Sequence, residues 1–335
     1  MIECLQNVYV GNHGLVFDEN GDTIGLNNAD VSPYAMTVND YGANTHMHSY
    51  MMMKDLKIDE DRKHVKEMIR NKKYIEVEDR PYIYAFHYFN IFVWGHLHDT
   101  LNKLEDFEGC DEDFKLAVPL ITNHVKDLFL HFELIGYKKE DVFSFSTLNG
   151  EVYKFKKLYI NKKILAAVMI GNKNWIEKKY IYENPYIKES IEGLKNKKYK
   201  LYLSRNNLLN GAAYPNGRKT INEPEVWDIL KNKGYIMLNG DEGLIEHIKY
   251  FIGADKIIFV HGSMIRNIMF CLNKDVEVWE FYPLAKMFGR HKYMSEDVFQ
   301  KMSRRMGMMH YYYLPIESED DWSVRLDLEL IKRIS

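Results

Sequence analysis

Apolar and polar positions alternate in short blocks along most of the chain, and the period of each block names an element. Val8–Gly25 alternates around Asn20-Gly21, the signal of a hairpin. A charged run near Lys54–Asn71 reads as a helix. Tyr82–Phe89 is rich in aromatics and Ile, as a buried strand is. From Gly95 the spacing of Leu97, Leu101 and Leu104 predicts a helix. Phe114–Ile121 reads as a strand and Asn123–Ile135 as an amphipathic helix stopped by Gly136. Strand and helix in alternation predict an α/β fold.

The second half repeats the alternation more regularly. Lys200–Ser204 is a short strand. Asn222-Glu223-Pro224-Glu225 opens a helix with a cap-type Asn, a proline in the first turn and acids at the positive helix end. Val226, Ile229 and Leu230 form its apolar stripe, and Gly234 stops it. A strand at Tyr235–Leu238 and a helix over Leu244–Phe251, closed by Gly253, come next. The strand Lys256–Val260 then hands over, through His261-Gly262-Ser263, to a helix reaching Cys271. A strand at Val276–Phe281 follows; a helix near Ser295–Met306, a strand at His310–Pro315 and a helix over Asp321–Ile334 complete the chain. This pattern predicts a doubly wound, parallel nucleotide-binding domain. The domain boundary is expected near residues 183–198.

Composition narrows the class. The 335 residues are 46% hydrophobic and 28% charged with a net charge of −3, which excludes a disordered chain and a strongly basic nucleic-acid binder. Three dispersed cysteines form no disulfide framework and no metal knuckle. The first basic residue is Lys54, so residues 1–53 do not read as a leader, and a cytoplasmic location is expected. Residues 151–200 hold 13 Lys and 5 Glu. This Lys-rich stretch is either a solvated face or a patch for peripheral contact with a membrane or another anionic partner.

Candidate chemistry follows from what is missing and what remains. No P-loop, GxGxxG, GxSxG or HExxH pattern occurs. Gly262 and Ser263 stand where a strand gives way to a helix, where orphan N–H groups and the helix dipole favour an anion. Asn267 follows one turn later. Arginine is scarce, 11 against 34 Lys, yet Arg205 and Arg218 bracket a segment without other charge. Guanidinium forks grip a diphosphate bidentately, at roughly 1.5–3 kcal/mol per charge-assisted bond. Two arginines and a helix mouth therefore suit a departing nucleoside diphosphate.

From Tyr202 onward the ordered set Arg205, Arg218, Asn222-Glu223, His261-Gly262-Ser263, Asn267, Phe270 and Glu280 resembles the family 61 glycosyltransferases. Ser263 replaces the alanine, and His247 the glutamine, usual in that family. The resemblance implies an α/β fold of two Rossmann-like domains facing across a cleft, the glycosyltransferase B architecture. On it, residues 1–190 bind the acceptor, 191–300 bind the nucleotide sugar, and 301–335 return toward the first domain. It implies inverting transfer from a UDP-sugar, xylose or N-acetylglucosamine, to a glycan acceptor, with no metal or other cofactor. Arg205 and Arg218 would hold phosphates, His261-Gly262-Ser263 would cradle the diphosphate, and Asn222, Glu223 and Asn267 complete the donor set, with Glu223 accepting ribose hydroxyls. Gly95-His96-Leu97-His98-Asp99 approximates the family's acceptor helix, which makes Asp99 the candidate base and His98 or His96 its substitutes. Two rival readings stay open. One is a non-catalytic glycan-binding protein on the same fold. The other is a metal-dependent hydrolase built on His46, His48, His96, His98 and Asp99.

Overall fold

The computed structural model describes residues 2–11, 14–24, 58–85, 102–109, 113–120, 128–146, 149–161, 173–206, 219–240, 242–283, 303, 307, 310–317 and 323–335. The chain forms two compact units, Met1–Gly171 and Asn172–Ser335. Both are mixed α/β with parallel strand pairing.

The first unit contains β1 (Ile2–Val10), β2 (Val16–Phe17), α1 (Ile58–Arg70), β3 (Ile75–Glu76), β4 (Pro81–Tyr84), β5 (Lys115–Leu120), α2 (Leu128–Leu134), β6 (Val142–Ser146) and β7 (Tyr153–Asn161). Among the described residues one sheet runs in the order β2-β1-β7-β4-β5-β6, with β3 also on β7. β4, β5 and β6 are parallel neighbours, while β1 runs antiparallel to β7. The turn at Asn20-Gly21 forms as expected. Asp18 accepts from the Asn20 and Asp22 amides, and Phe17 bridges Thr23. The long partner of β1, however, is β7.

β7 lies inside the Lys-rich stretch that composition reads as a surface. Its Phe155 and Leu158 are fully buried beside Tyr82 and Phe145. Lys154 and Lys156, the two neighbours of Phe155, turn away from it and pair with Glu76 and Asp79. Alternation around Phe155 keeps these two ammonium groups out of the core that the aromatic fills.

The second unit begins with α3 (Lys173–Ile176), which continues as a π-helical turn through Tyr182, and α4 (Ile191–Lys195). Tyr180 is buried against Phe270 within this unit. Then come β8 (Tyr199–Leu203), α5 (Glu223–Asn232), β9 (Tyr235–Leu238), α6 (Leu244–Ile252), β10 (Ala254–Val260), a 3-10 helix at Ser263–Phe270, β11 (Glu277–Pro283), β12 (His310–Ile316) and α7 (Leu328–Ile334). All pairings in this sheet are parallel, in the order β12-β11-β10-β8-β9. Gly234 ends α5 with φ of 81°, a left-handed conformation that only glycine adopts freely.

The C-terminal strand and helix pack within the second unit. Val324, Leu326, Ile331 and Ile334 share a core with Tyr202, Val226 and Leu230 of β8 and α5. A parallel bridge joins Val324 to Thr220.

Candidate functional site

The strand order fixes where a site belongs. After β8 the chain moves outward to β9, then returns to the other side of β8 as β10. The loops leaving the carboxyl ends of β8 and β10 therefore diverge, and ligands of open parallel sheets bind where such loops part. Two short segments occupy that place: Ser204-Arg205 after β8, and His261-Gly262 after β10.

The structure brings these segments into contact. A Cβ built on Gly262 would lie 2.1 Å from Nη1 and 2.7 Å from Cζ of Arg205. The guanidinium thus rests on the glycine backbone, in space a side chain would fill. The φ of Gly262 is 176°, extended backbone open to any residue, so glycine is required here for room alone. Ser263 is the first residue of the 3-10 helix. The first amides of a helix lack intrahelical acceptors, and Gly262 has no side chain to cap them. An arginine fork beside such amides has the chemistry that suits an anion.

His261 is held from two sides. Its Nδ1 lies 2.5 Å from Oε1 of the fully buried Glu280, and its ring meets the edge of Tyr282 at 4.5 Å. Its backbone N–H donates to the Phe281 carbonyl. β11 thereby fixes the orientation of the residue before the glycine. Glu280, noted in the sequence only by its spacing, is the second-strand partner of His261.

Glu223 faces away from solvent. Its Oε1 accepts from Tyr202 Oη at 2.9 Å and Ser204 Oγ at 2.8 Å, and the carboxylate also takes the Arg205 backbone N–H. Burial raises its pKa, opposed by these three bonds. Burial and the adjacent Glu223 push the Tyr202 phenol well above its ordinary value, so it stays a donor. The carboxylate thereby anchors the backbone of Arg205.

Asn222 likewise turns out not to cap α5, since its side chain makes no capping bond. Both ends of its amide are used on Leu326: Nδ2 donates to the carbonyl at 2.9 Å and Oδ1 accepts the N–H at 3.0 Å. The side chain thus clasps the C-terminal segment. Asn206 makes a similar pair with Thr220, which holds those two positions together.

A further chain of bonds converges from β9. Glu242 accepts the amides of Asn239 and Gly240 and meets His247 Nε2 at 3.0 Å. Burial alone would raise its pKa, but the His247 side chain and the backbone amides outweigh that and lower it to about 2. His247 Nδ1 in turn lies 3.0 Å from Nδ2 of the buried Asn267. No local pattern in the sequence announces Glu242; a carboxylate five residues before a helix histidine was the available sign.

Arg205, His261, Gly262 and Asn267 therefore gather at one end of one sheet. Arg218, Asp99, His98 and His96, with His46 and His48, lie outside the described residues. Among the described residues no helix is long and apolar enough to cross a membrane.

A family model described as Glycosyltransferase 61 matches residues 94–278, more than half of the chain. That span includes Arg205, the Asn222-Glu223 pair, His261-Gly262-Ser263 and Asn267. No curated protein matches the chain.

Proposed function

The chain belongs to the glycosyltransferase 61 family and is a glycosyltransferase, and on that premise we propose that it moves a sugar, with inversion, from a UDP-linked donor to a glycan hydroxyl. The family as a whole implies a nucleotide-sugar donor and a glycan acceptor. Xylose or N-acetylglucosamine is the sugar proposed here. The proposed architecture is two Rossmann-like domains, of which the second supplies the donor pocket at its β8/β10 edge. The observation that carries this reading is the Arg205 guanidinium lying on Gly262 beside the opening of the 3-10 helix.

In this reading Arg205, joined by Arg218, neutralises the diphosphate as the bond from the anomeric carbon to its oxygen breaks. Helix-mouth amides add about 0.3–2 kcal/mol to that stabilisation. Asp99, or else His98 or His96, takes the proton of the acceptor hydroxyl as the hydroxyl oxygen bonds to the opposite face of the anomeric carbon. No metal or other cofactor is assigned a role, and the reaction is placed in the cytoplasm.

Titration of UDP in the presence of EDTA tests the donor half. UDP is expected to bind at least tenfold more tightly than UMP, because one charge-assisted bond exceeds the 1.4 kcal/mol that a factor of ten requires. Arg205→Lys should erase most of that preference, since a point charge cannot replace a fork. Equal affinity for UMP and UDP in the unaltered protein overturns the diphosphate site.

A further inference from the structure

The half-buried Glu242 and the buried His247 and Asn267 form a line of hydrogen bonds from the end of β9 to the 3-10 helix that starts at Ser263. The Glu242 carboxylate can only accept, so His247 presents its Nε2–H to it. Asn267 turns its Nδ2 toward Nδ1 at 3.0 Å, and an amide nitrogen only donates, so Nδ1 accepts. The amide is thereby fixed with Oδ1 on the other side. That oxygen is buried and makes no hydrogen bond within the protein. A buried carbonyl oxygen left in this state calls for a donor.

We infer that Glu242 and His247 are positioning residues for donor binding: they set the Asn267 amide so that it offers an acceptor oxygen to a hydroxyl or imide N–H of the nucleotide sugar. Phosphate oxygens accept and do not donate at neutral pH, so this oxygen does not serve the diphosphate. Arg205 and the helix mouth read the anionic part of the donor, and Asn267 reads a neutral part. The inference rests on the nucleotide-sugar reading above and adds to it which ligand atoms meet which side chain.

Two probes separate the parts: UDP and inorganic pyrophosphate, each titrated by calorimetry against the full chain. Asn267→Leu should weaken UDP roughly three- to tenfold, the worth of one neutral hydrogen bond, and leave pyrophosphate unchanged. His247→Leu should do the same, because the amide loses the partner that orients it. His247→Gln keeps one acceptor and one donor and should restore UDP binding to within about threefold of the unaltered protein. His247→Gln also keeps the test informative should the leucine variants fold poorly. Equal losses for UDP and pyrophosphate would mean a general slackening of the site, and would overturn the assignment. Undiminished UDP affinity in a folded Asn267→Leu variant would overturn it too. If the unaltered protein binds pyrophosphate and not UDP, the nucleotide reading itself fails.

Discussion

Gly262→Ala is the sharpest test of the site, because the structure fixes both what the methyl meets and what it spares. The new carbon would stand 2.1 Å from Arg205 Nη1, 2.7 Å from Cζ and 3.2 Å from Nε. Ordinary carbon contacts begin near 3.5 Å, so the guanidinium must withdraw by more than about 1 Å. A bidentate grip on phosphate does not survive such a shift, and the loss of one to two charge-assisted bonds amounts to about 1.5–6 kcal/mol. UDP affinity should fall at least tenfold. The fold should notice little. With φ at 176° the alanine backbone is unstrained, and the displaced atoms are the far end of a flexible side chain. A loss below about 1 kcal/mol, or roughly 2–4 °C in melting temperature, is expected. Calorimetry of UDP binding and a thermal melt measure the two quantities separately. Combining Gly262→Ala with Arg205→Lys should weaken binding hardly more than either change alone, since both remove the same contact. Wild-type affinity in the alanine variant, or full additivity in the pair, would refute the claim that the glycine exists to seat the arginine.

Asn222→Ala should act on stability, because it strands the buried N–H and C=O of Leu326; about 2–4 kcal/mol and a melting point lower by roughly 5–15 °C are expected. A melt within 2 °C of the unaltered protein by calorimetric scan would remove the clasp. Glu242 has a native pKa of about 2, below the ordinary 4.5, so its contribution is complete above pH 4.5 and drains away as pH falls toward 2. Glu242→Gln should flatten the loss of stability across that window in a pH series of melts, and an unchanged acid profile would count against its pairing with His247. Asp99→Asn should leave UDP binding intact and abolish transfer to acceptor; full turnover would move the base to His98 or His96.

The second sheet was legible residue by residue, and the reason is punctuation. β8, α5, β9, α6 and β10 carry their periodicities cleanly and stop at glycines such as Gly234. The segment after Ser263 has helical spacing but winds as a 3-10 helix, since burial pattern alone does not separate i+3 from i+4 bonding over eight residues. β7 was hidden by its lysines. Composition counts ammonium groups, whereas a strand needs only every second side chain to be apolar. The destination of the tail was hidden for another reason: the bonds that hold it run from Asn222 to Leu326, 104 positions apart, and no window along the chain sees both ends.

The same distinction sorts the candidate site. The meeting of Arg205 and Gly262 joins two residues the sequence had already singled out, because their chemistry is local: a fork, and room beside a helix mouth. Asn222 and Glu223 have the residue types of a binding pair, yet each spends its polar atoms on protein partners, one on Leu326 and the other on Tyr202, Ser204 and the Arg205 amide. Their adjacency in sequence then has a mechanical meaning. At the start of α5 two neighbours pull in different directions, one on the C-terminal segment and one on the β8 exit. Arg205 is consequently positioned by its backbone through Glu223 and by its guanidinium against Gly262. A single arginine anchored at both ends has little freedom left to lose, and under the proposed function that preorganisation would let a short-lived leaving group be held without further ordering.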